Sequence, residues 1–380
     1  MTQPSSSTAA VATPLVVGTG LVALDVVLSK SQPSNPRYWA GGTCGNVLTI
    51  LRYLGWRSSP IARLRPGGAT NRLLTDLSRW GVGCEFVSVA DDGSTPIIVQ
   101  RIGRNAAGEP YHTFSWRCPN CGSRLPSYKP VLATEAAAIV SGLGKPRVFF
   151  LDRLSRGALV LAKAASEAGA AVVFEPSSVS SPAMFREAWV LADVVKYSHE
   201  RLQELPEDLD SATGPKLLVE THGSEGLRYR ARLRGSRTKW QRLDALEAPI
   251  LRDAAGAGDW CTAGIIHKLF PKQSAVWDKL TDKTLRNAIR YGQALAAWAC
   301  GFEGARGGMY EVEHAQFERD VSAILRDGAA SAIGTDRPDS TSAGITCLCP
   351  SCESPDRAAR IVRKAVRRNV PLQVSSFASR

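Results

Sequence analysis

Apolar and polar positions along this chain fall into two alternating rhythms. Short, nearly continuous apolar runs bounded by turn residues occur at 15–28, 61–64, 85–89, 148–151, 171–174, 190–195 and 216–220. Such runs predict buried strands, and the first breaks at Gly18 and Gly20 into a turn and a second strand. Between them, 47–55, 70–80 and 158–168 have the apolar spacing of amphipathic helices, as does 285–299 further on. Gly55 and Gly81 stand where the first two of these helices stop. Strands alternating with helices imply an α/β fold, with a largely parallel sheet covered on both faces. Two further runs, 95–102 and 111–117, read as paired strands outside this rhythm.

A length of 380 residues allows one large α/β domain with additions, or two domains. With 44% hydrophobic and 22% charged residues, the composition is that of a soluble globular protein. No apolar run is long enough to span a bilayer. Residues 1–14 form a Ser/Thr/Ala-rich tail without the basic start and apolar centre of an export signal, so a cytoplasmic protein is expected. The net charge of +12 predicts a positive field that favours anionic ligands: sugar phosphates, nucleotides or nucleic acid. An ordinary basic surface is the competing reading. Nine cysteines without an export signal argue against a disulfide framework.

The densest chemistry lies in Arg252-Asp253-Ala254-Ala255-Gly256-Ala257-Gly258-Asp259, a small-residue turn leading into a helical stretch. Small residues let backbone approach a ligand, and free N–H groups of a helix's first turn attract anions. A carboxylate beside them suits a base that takes a proton from a hydroxyl while the turn holds a phosphoryl group. The plainer alternative is a glycine-rich loop with a helix-capping aspartate. Asp-x-x-Gly-Ala-Gly-Asp resembles the signature of the ribokinase-like, or PfkB, family of small-molecule kinases. That resemblance implies a three-layer α/β/α fold with a small β lid. It makes Asp259 the catalytic base, Gly256, Ala257 and Gly258 the anion hole, and Asp253 a structural or monovalent-cation position.

Other matches follow in order. Asp25 stands where the family grips substrate hydroxyls, and Gly41-Gly42-x-x-x-Asn46 resembles its first sugar-binding motif. The strands at 95–102 and 111–117 correspond to its lid. Glu175-Pro176 falls at its Asp-Pro turn, and Ser198 begins its metal-organising Asn/Ser-x-x-Glu motif. Here the chain departs from the pattern, because the fourth position is Arg201 and the nearby acids are Glu200 and Glu204. Thr221-His222-Gly223-Ser224-Glu225-Gly226 resembles the nucleotide loop, with a simple hairpin turn as the alternative. The 301–308 stretch, with Gly304-Ala305, resembles the loop closing over the adenine. A P-loop motif is absent.

Two Cys-Pro-x-Cys turns lie outside the resemblance, at Cys118/Cys121 and Cys349/Cys352, with Cys347 just before the second. Four thiolates suit one closed, tetrahedral, structural Zn2+, which would fold the tail onto the lid. Cys44, Cys84, Cys261 and Cys300 read as small core hydrophobes. None of the five histidines shows metal-ligand spacing with another, and none is assigned chemistry. The expected organisation is a tail (1–14), a kinase domain (15–327, lid about 95–130), a linker (328–345), and a cysteine knuckle with a basic helix (346–380).

The function implied is an ATP- and Mg2+-dependent kinase acting on a hydroxyl of a sugar or sugar-like molecule. A nucleoside acceptor is the rival within the class, and a zinc-stabilised, inactive nucleic-acid-binding module the rival outside it. Arg63, Arg65, Arg101 and Arg104 are candidates for receiving a phosphate already on the substrate. Pairing of lids would give a homodimer, which a knuckle on the lid could also block.

Overall fold

Uninterrupted aliphatic and aromatic runs such as Val148–Leu151 are buried at every position, as expected of strands covered on both faces. The structure is a computed structural model that describes residues 13–29, 36–202, 214–233, 235–271, 280–328 and 348–353. Its strands are β1 (Leu15–Thr19), β2 (Ala23–Ser29), β3 (Arg37–Gly41), β4 (Arg57–Leu64), β5 (Val87–Val89), β6 (Ile97–Arg104), β7 (Pro110–Ser115), β8 (Val148–Leu151), β9 (Ala171–Phe174), β10 (Val194–Ser198), β11 (Leu217–Thr221), β12 (Leu227–Leu233), β13 (Ser236–Arg237) and β14 (Gln241–Leu243). Its helices are α1 (Thr43–Tyr53), α2 (Gly68–Arg79), α3 (Ala133–Val140), α4 (Arg156–Glu167), α5 (Pro182–Leu191), α6 (Ala257–Leu269), α7 (Asp282–Ala299), α8 (Gly307–Glu311), α9 (His314–Asp327) and α10 (Pro350–Glu353).

The main sheet runs β13-β12-β11-β10-β9-β8-β1-β4-β5, with β14 also paired to β12. From β11 to β5 every pairing is parallel, and the β12–β14 edge is antiparallel. Side chains alternate between the two faces of a strand, and here the alternation sorts them into two cores. Val16, Phe150, Val173, Val194, Leu217 and Val219 join the core that includes residues of α1, α6, α7 and α9. Their neighbours Val17, Phe149, Val172, Val195 and Leu218 join the core containing residues of α3, α4 and α5. The result is the expected three-layer α/β/α arrangement. A second sheet, β3-β2-β6-β7, forms the small β layer.

Several boundaries differ from the sequence reading. The apolar run at 190–195 is not one strand: Val190 and Leu191 end α5, and the strand begins at Val194. Pro182 sits in the first turn of α5, and Phe185, Ala188 and Trp189 bury its inner face, so tertiary packing claims this segment as helix. Gly18 lies within β1 rather than at the bend, and a Cβ there would come 2.9 Å from the Phe150 carbonyl oxygen. The small sheet also gains β2 and β3, so the lid begins well before residue 95. No helix among the described residues is long and apolar enough to cross a membrane. Cys347, Glu204, nearly all of the expected tail and linker, and the basic 356–368 segment lie outside the described residues.

Candidate active site

Helix α6 begins at Ala257, and the residue before it, Gly256, adopts φ 77°, a left-handed conformation that favours glycine. Any Cβ at Gly256 would also lie 2.5 Å from the Ala305 carbonyl oxygen. No side chain caps this helix end. The first helical hydrogen bond, from Trp260 N to Gly256 O, leaves the N–H groups of Gly258 and Asp259 without an intrahelical acceptor. Lys196 Nζ lies 3.7 Å from where a Gly258 Cβ would stand. Two backbone donors and an ammonium therefore lie close together at one helix start, an arrangement able to attract an anion.

Asp259 lies in the first turn of α6 and accepts a 2.8 Å hydrogen bond from Asn46 Nδ2. Burial pushes its carboxyl up to about 7, and the nearby Glu175 charge adds to the rise against the Asn46 bond, Lys196 and Arg201. Lys196 is 3% exposed and pairs with Glu175 at 2.9 Å. Burial alone would drain its charge, but Glu175 and Asp259 hold its pKa above the ordinary lysine value. Thr262 Oγ1 donates to the other Glu175 oxygen at 2.5 Å, fixing that carboxylate beneath α6. Asp152, after β8, is buried and raised to about 6, first by desolvation and, among its neighbours, by Glu175.

Of the expected sugar-binding residues, Asn46 in α1 reaches this turn through Asp259. Asp25 in β2 lies against Gly41 at the end of β3, where a Cβ would sit 1.9 Å from Asp25 Oδ2. Asp25 Oδ1 is buried without a hydrogen-bond partner, and burial raises the carboxyl to about 7 despite the Arg306 charge and the Gly42 N–H. Asn46, of the expected sugar-binding motif, makes its side-chain hydrogen bonds within the protein. Its Nδ2 donates to Asp259, and its Oδ1 accepts from Arg306 Nε at 3.2 Å, so the amide spans base and guanidinium. Arg306 is 1% exposed, donates to the Ala40 carbonyl oxygen and to Asp76 Oδ2, and keeps Nη1 buried without a hydrogen-bond partner.

Asp253 faces elsewhere. One oxygen takes Gln100 Nε2 at 2.5 Å and Gly304 N at 2.8 Å. The other takes His112 Nδ1 at 2.7 Å and Ala255 N at 3.0 Å. Desolvation would raise this carboxyl, but the His112 bond and the two N–H groups prevail and hold it below its ordinary value. His112, assigned no chemistry from spacing, is a partner of the motif aspartate, and Gly304 packs against Trp39 and Val27 of the small sheet.

Ser198 ends β10 and pairs in register with Thr221, the end of β11. The turn from Thr221 to Gly226 holds a short 3-10 segment, Gly223–Glu225, and joins the antiparallel pair β11–β12, so the expected nucleotide loop is also a hairpin connection. Gly223 and Gly226 both have positive φ. Glu200 and Arg201 are exposed, and the Arg201 charge lowers the pKa of both Asp152 and Asp259. Of the arginines considered for phosphate, Arg63 is committed to Asp92 Oδ2 at 2.6 Å and to the Pro130 carbonyl oxygen, while Arg65, Arg101 and Arg104 are exposed.

Away from this site, Cys118, Cys121, Cys349 and Cys352 meet with all four Sγ atoms within 4.8 Å of one another. The other described cysteines are scattered as expected, with Cys44 and Cys261 fully buried. Lys196, Arg306, Asp76 and Asp152 were not singled out from sequence. Buried charges in apolar strands, such as Lys196 within β10, were the available signal.

The sequence matches the profile of the pfkB family carbohydrate kinases over residues 15–311. It is 31% identical over 289 residues to an ATP-dependent ribose-1-phosphate kinase from Halopiger xanaduensis, covering 71% of this chain and 83% of that protein. The fold resembles a Burkholderia thailandensis nucleoside kinase in complex with inosine, with TM-score 0.58 and 16% identity over 83% of this chain and 99% of that one. It likewise resembles a Xylella fastidiosa fructokinase with bound ATP, with TM-score 0.60 and 18% identity over 77% of this chain and 93% of that one. At these identities the solved structures speak to the fold, while the family match spans most of the chain. The chain belongs to the pfkB family carbohydrate kinases, phosphotransferases with a hydroxyl group as acceptor.

Proposed function

We propose that this protein transfers the γ-phosphoryl group of ATP to a hydroxyl of a sugar or sugar-like molecule, with Asp259 as the base. One observation carries the reading: Asp259, held near neutral pKa by burial, shares the start of α6 with open N–H groups and the Lys196 ammonium. The carboxylate takes the hydroxyl proton while the Gly256–Gly258 turn and Lys196 receive the charge of the transferring phosphoryl group. Asn46 aims the carboxylate, and Arg306 fixes Asn46. Asp25 Oδ1, buried and unpartnered beside Gly41, is suited to accept a hydrogen bond from an acceptor hydroxyl. Ser198 and Thr221, at the carboxyl ends of the parallel strands β10 and β11, with Gly223 and Gly226 in the turn that follows, support a nucleotide site there.

Mg2+ fits the carboxyl groups beside this turn. The Glu175 charge raises the pKa of both Asp152 and Asp259, and a hard cation coordinated by oxygen would relieve that repulsion. When bound, it supplies charge neutralisation for the nucleotide phosphates. Asp253 does not fit a monovalent-cation ligand, because protein donors fill both of its oxygens, and its role is structural. Zn2+ fits the four cysteines. A tetrahedron with metal–sulfur bonds of about 2.3 Å has edges of about 3.8 Å. Cys118–Cys352 and Cys121–Cys349 have Sγ separations of 3.8 and 3.7 Å.

The Halopiger relative named for ribose-1-phosphate makes a phosphorylated pentose the first acceptor to try, followed by free sugars and nucleosides. ATP, Mg2+ and each acceptor are incubated with wild-type protein and with Asp259→Asn. Turnover of one acceptor class, reduced by about 10²–10⁴-fold in the variant, is the expected result. Equal turnover by the variant would remove Asp259 as the base.

A further inference from the structure

His199, Glu220 and His222 form a second cluster of metal-binding atoms, outside the phosphoryl-transfer groups. His199 follows the last residue of β10, Glu220 is in β11, and His222 follows its end; the in-register pair Ser198 and Thr221 sets them side by side. His199 Nδ1 and His222 Nε2 lie 3.0 and 3.1 Å from the same atom, Glu220 Oε1. The three donor atoms are all within 4.8 Å of one another. The imidazole rings stack with centroids 4.8 Å apart and planes 26° from parallel, which brings both nitrogens to one side of the carboxylate.

The other Glu220 oxygen is held separately. Oε2 accepts from the Tyr197 hydroxyl at 2.8 Å and from Arg228 Nε at 2.9 Å. Glu220 is 2% exposed, whereas the His199 side chain is 47% exposed, so an ion can approach from solvent onto a carboxylate already fixed in place.

We propose that His199, Glu220 and His222 hold an exchangeable divalent transition-metal ion. Two imidazole nitrogens and one carboxylate oxygen are the donor set of zinc and its neighbours Co2+, Ni2+ and Cu2+, and three protein ligands leave a coordination position open. Ca2+ and Mg2+ prefer oxygen throughout. Tyr197 and Arg228 orient the carboxylate from behind, as outer partners of metal ligands do. Arg228 also shares the Glu220 charge, which weakens the site and makes the ion exchangeable. A bound ion would tie the end of β10 to the Thr221–Gly226 turn.

The test uses tag-free full chain whose four-cysteine site has first been filled with Zn2+ and checked by metal analysis. Ni2+ is titrated by calorimetry in a non-chelating buffer, and hydrogen exchange of residues 222–226 is followed with and without it. One further equivalent of Ni2+ and slower exchange in that turn are expected, with binding weakened at least about 10-fold in His222→Gln and in His199→Gln. His199 is half-exposed, so its variant remains informative if the other misfolds, circular dichroism being the check. Absence of a further equivalent up to about 1 mM Ni2+ would overturn the proposal. So would unchanged affinity in the folded histidine variants. The readouts are binding and exchange, so the outcome is independent of the phosphoryl-transfer reading.

Discussion

Asp259, the proposed base, is held near pKa 7 in the free protein, and it would work only when ionised. The rate constant kcat/KM is therefore expected to rise about tenfold per pH unit below neutrality and to level off above about pH 7. Asn46 donates to the charged form, so Asn46→Ala should move this limb to higher pH by about 1 unit. A pH–rate profile decides: an unmoved limb would assign the titration to another group. Asp25 gives a stability counterpart. Its folded pKa, about 7, exceeds the ordinary 3.8, so folding favours the protonated form. That stabilisation is complete below about pH 4 and is lost as the pH rises through 7. Asp25→Asn should thus raise Tm at pH 8 by about 2–4 °C, with the gain shrinking toward pH 4 in thermal melts. Among single residues, Asp25, Asn46 and Asp259 could be noticed in short local motifs, and the structure brings Asn46 and Asp259 into contact. Arg306 could not, because its partners Asp76 and Asn46 are 230 and 260 positions away.

Elements supply the charges these residues work among. β10 delivers Lys196 to the start of α6, and β9 leads into Glu175, its partner. Lys196→Met should reduce kcat by about 10²–10³-fold if the ammonium stabilises transferring charge. It should also cost about 3–5 kcal/mol, because the largely buried Glu175 loses its counter-charge and keeps only the Thr262 hydroxyl. Adding Glu175→Gln should restore most of that stability but not the rate, and urea melts beside single-turnover kinetics separate the two effects. A rate restored together with the fold would make Lys196 merely structural. The boundaries of β8 and β9 agree with the sequence pattern because their apolar runs end at turns. The run at 190–195 misled because its apolar residues belong partly to α5 and partly to β10, which composition cannot separate. The lid's true extent was hidden for a related reason: β2 joins β6 only through long-range pairs such as Leu24 with Ile97.

At the scale of the molecule, Cys349 and Cys352 bring a segment near the C-terminus onto the knuckle that follows β7. All but one of the four cysteines are buried, and the remaining one, Cys121, is partly buried. Removing Zn2+ with a chelator, or replacing a ligand with Cys121→Ser, should lower Tm by about 10 °C. Metal analysis of the purified protein should give one zinc per chain, falling below half in the variant. Unchanged melting on complete metal removal would show the thiols to be packed without an ion. The two Cys-Pro-x-Cys turns were legible as a pair because each holds its two thiols at a short local spacing, of the kind metal sites use even when their halves are far apart. The same knuckle gives the chain an order of assembly. Proteins emerge from the ribosome N-terminus first, and domains begin folding as they emerge. Asp25, Asn46 and Asp259 are all synthesised before Cys349 and Cys352. These three residues can therefore be in place while the lid still lacks half of its clasp.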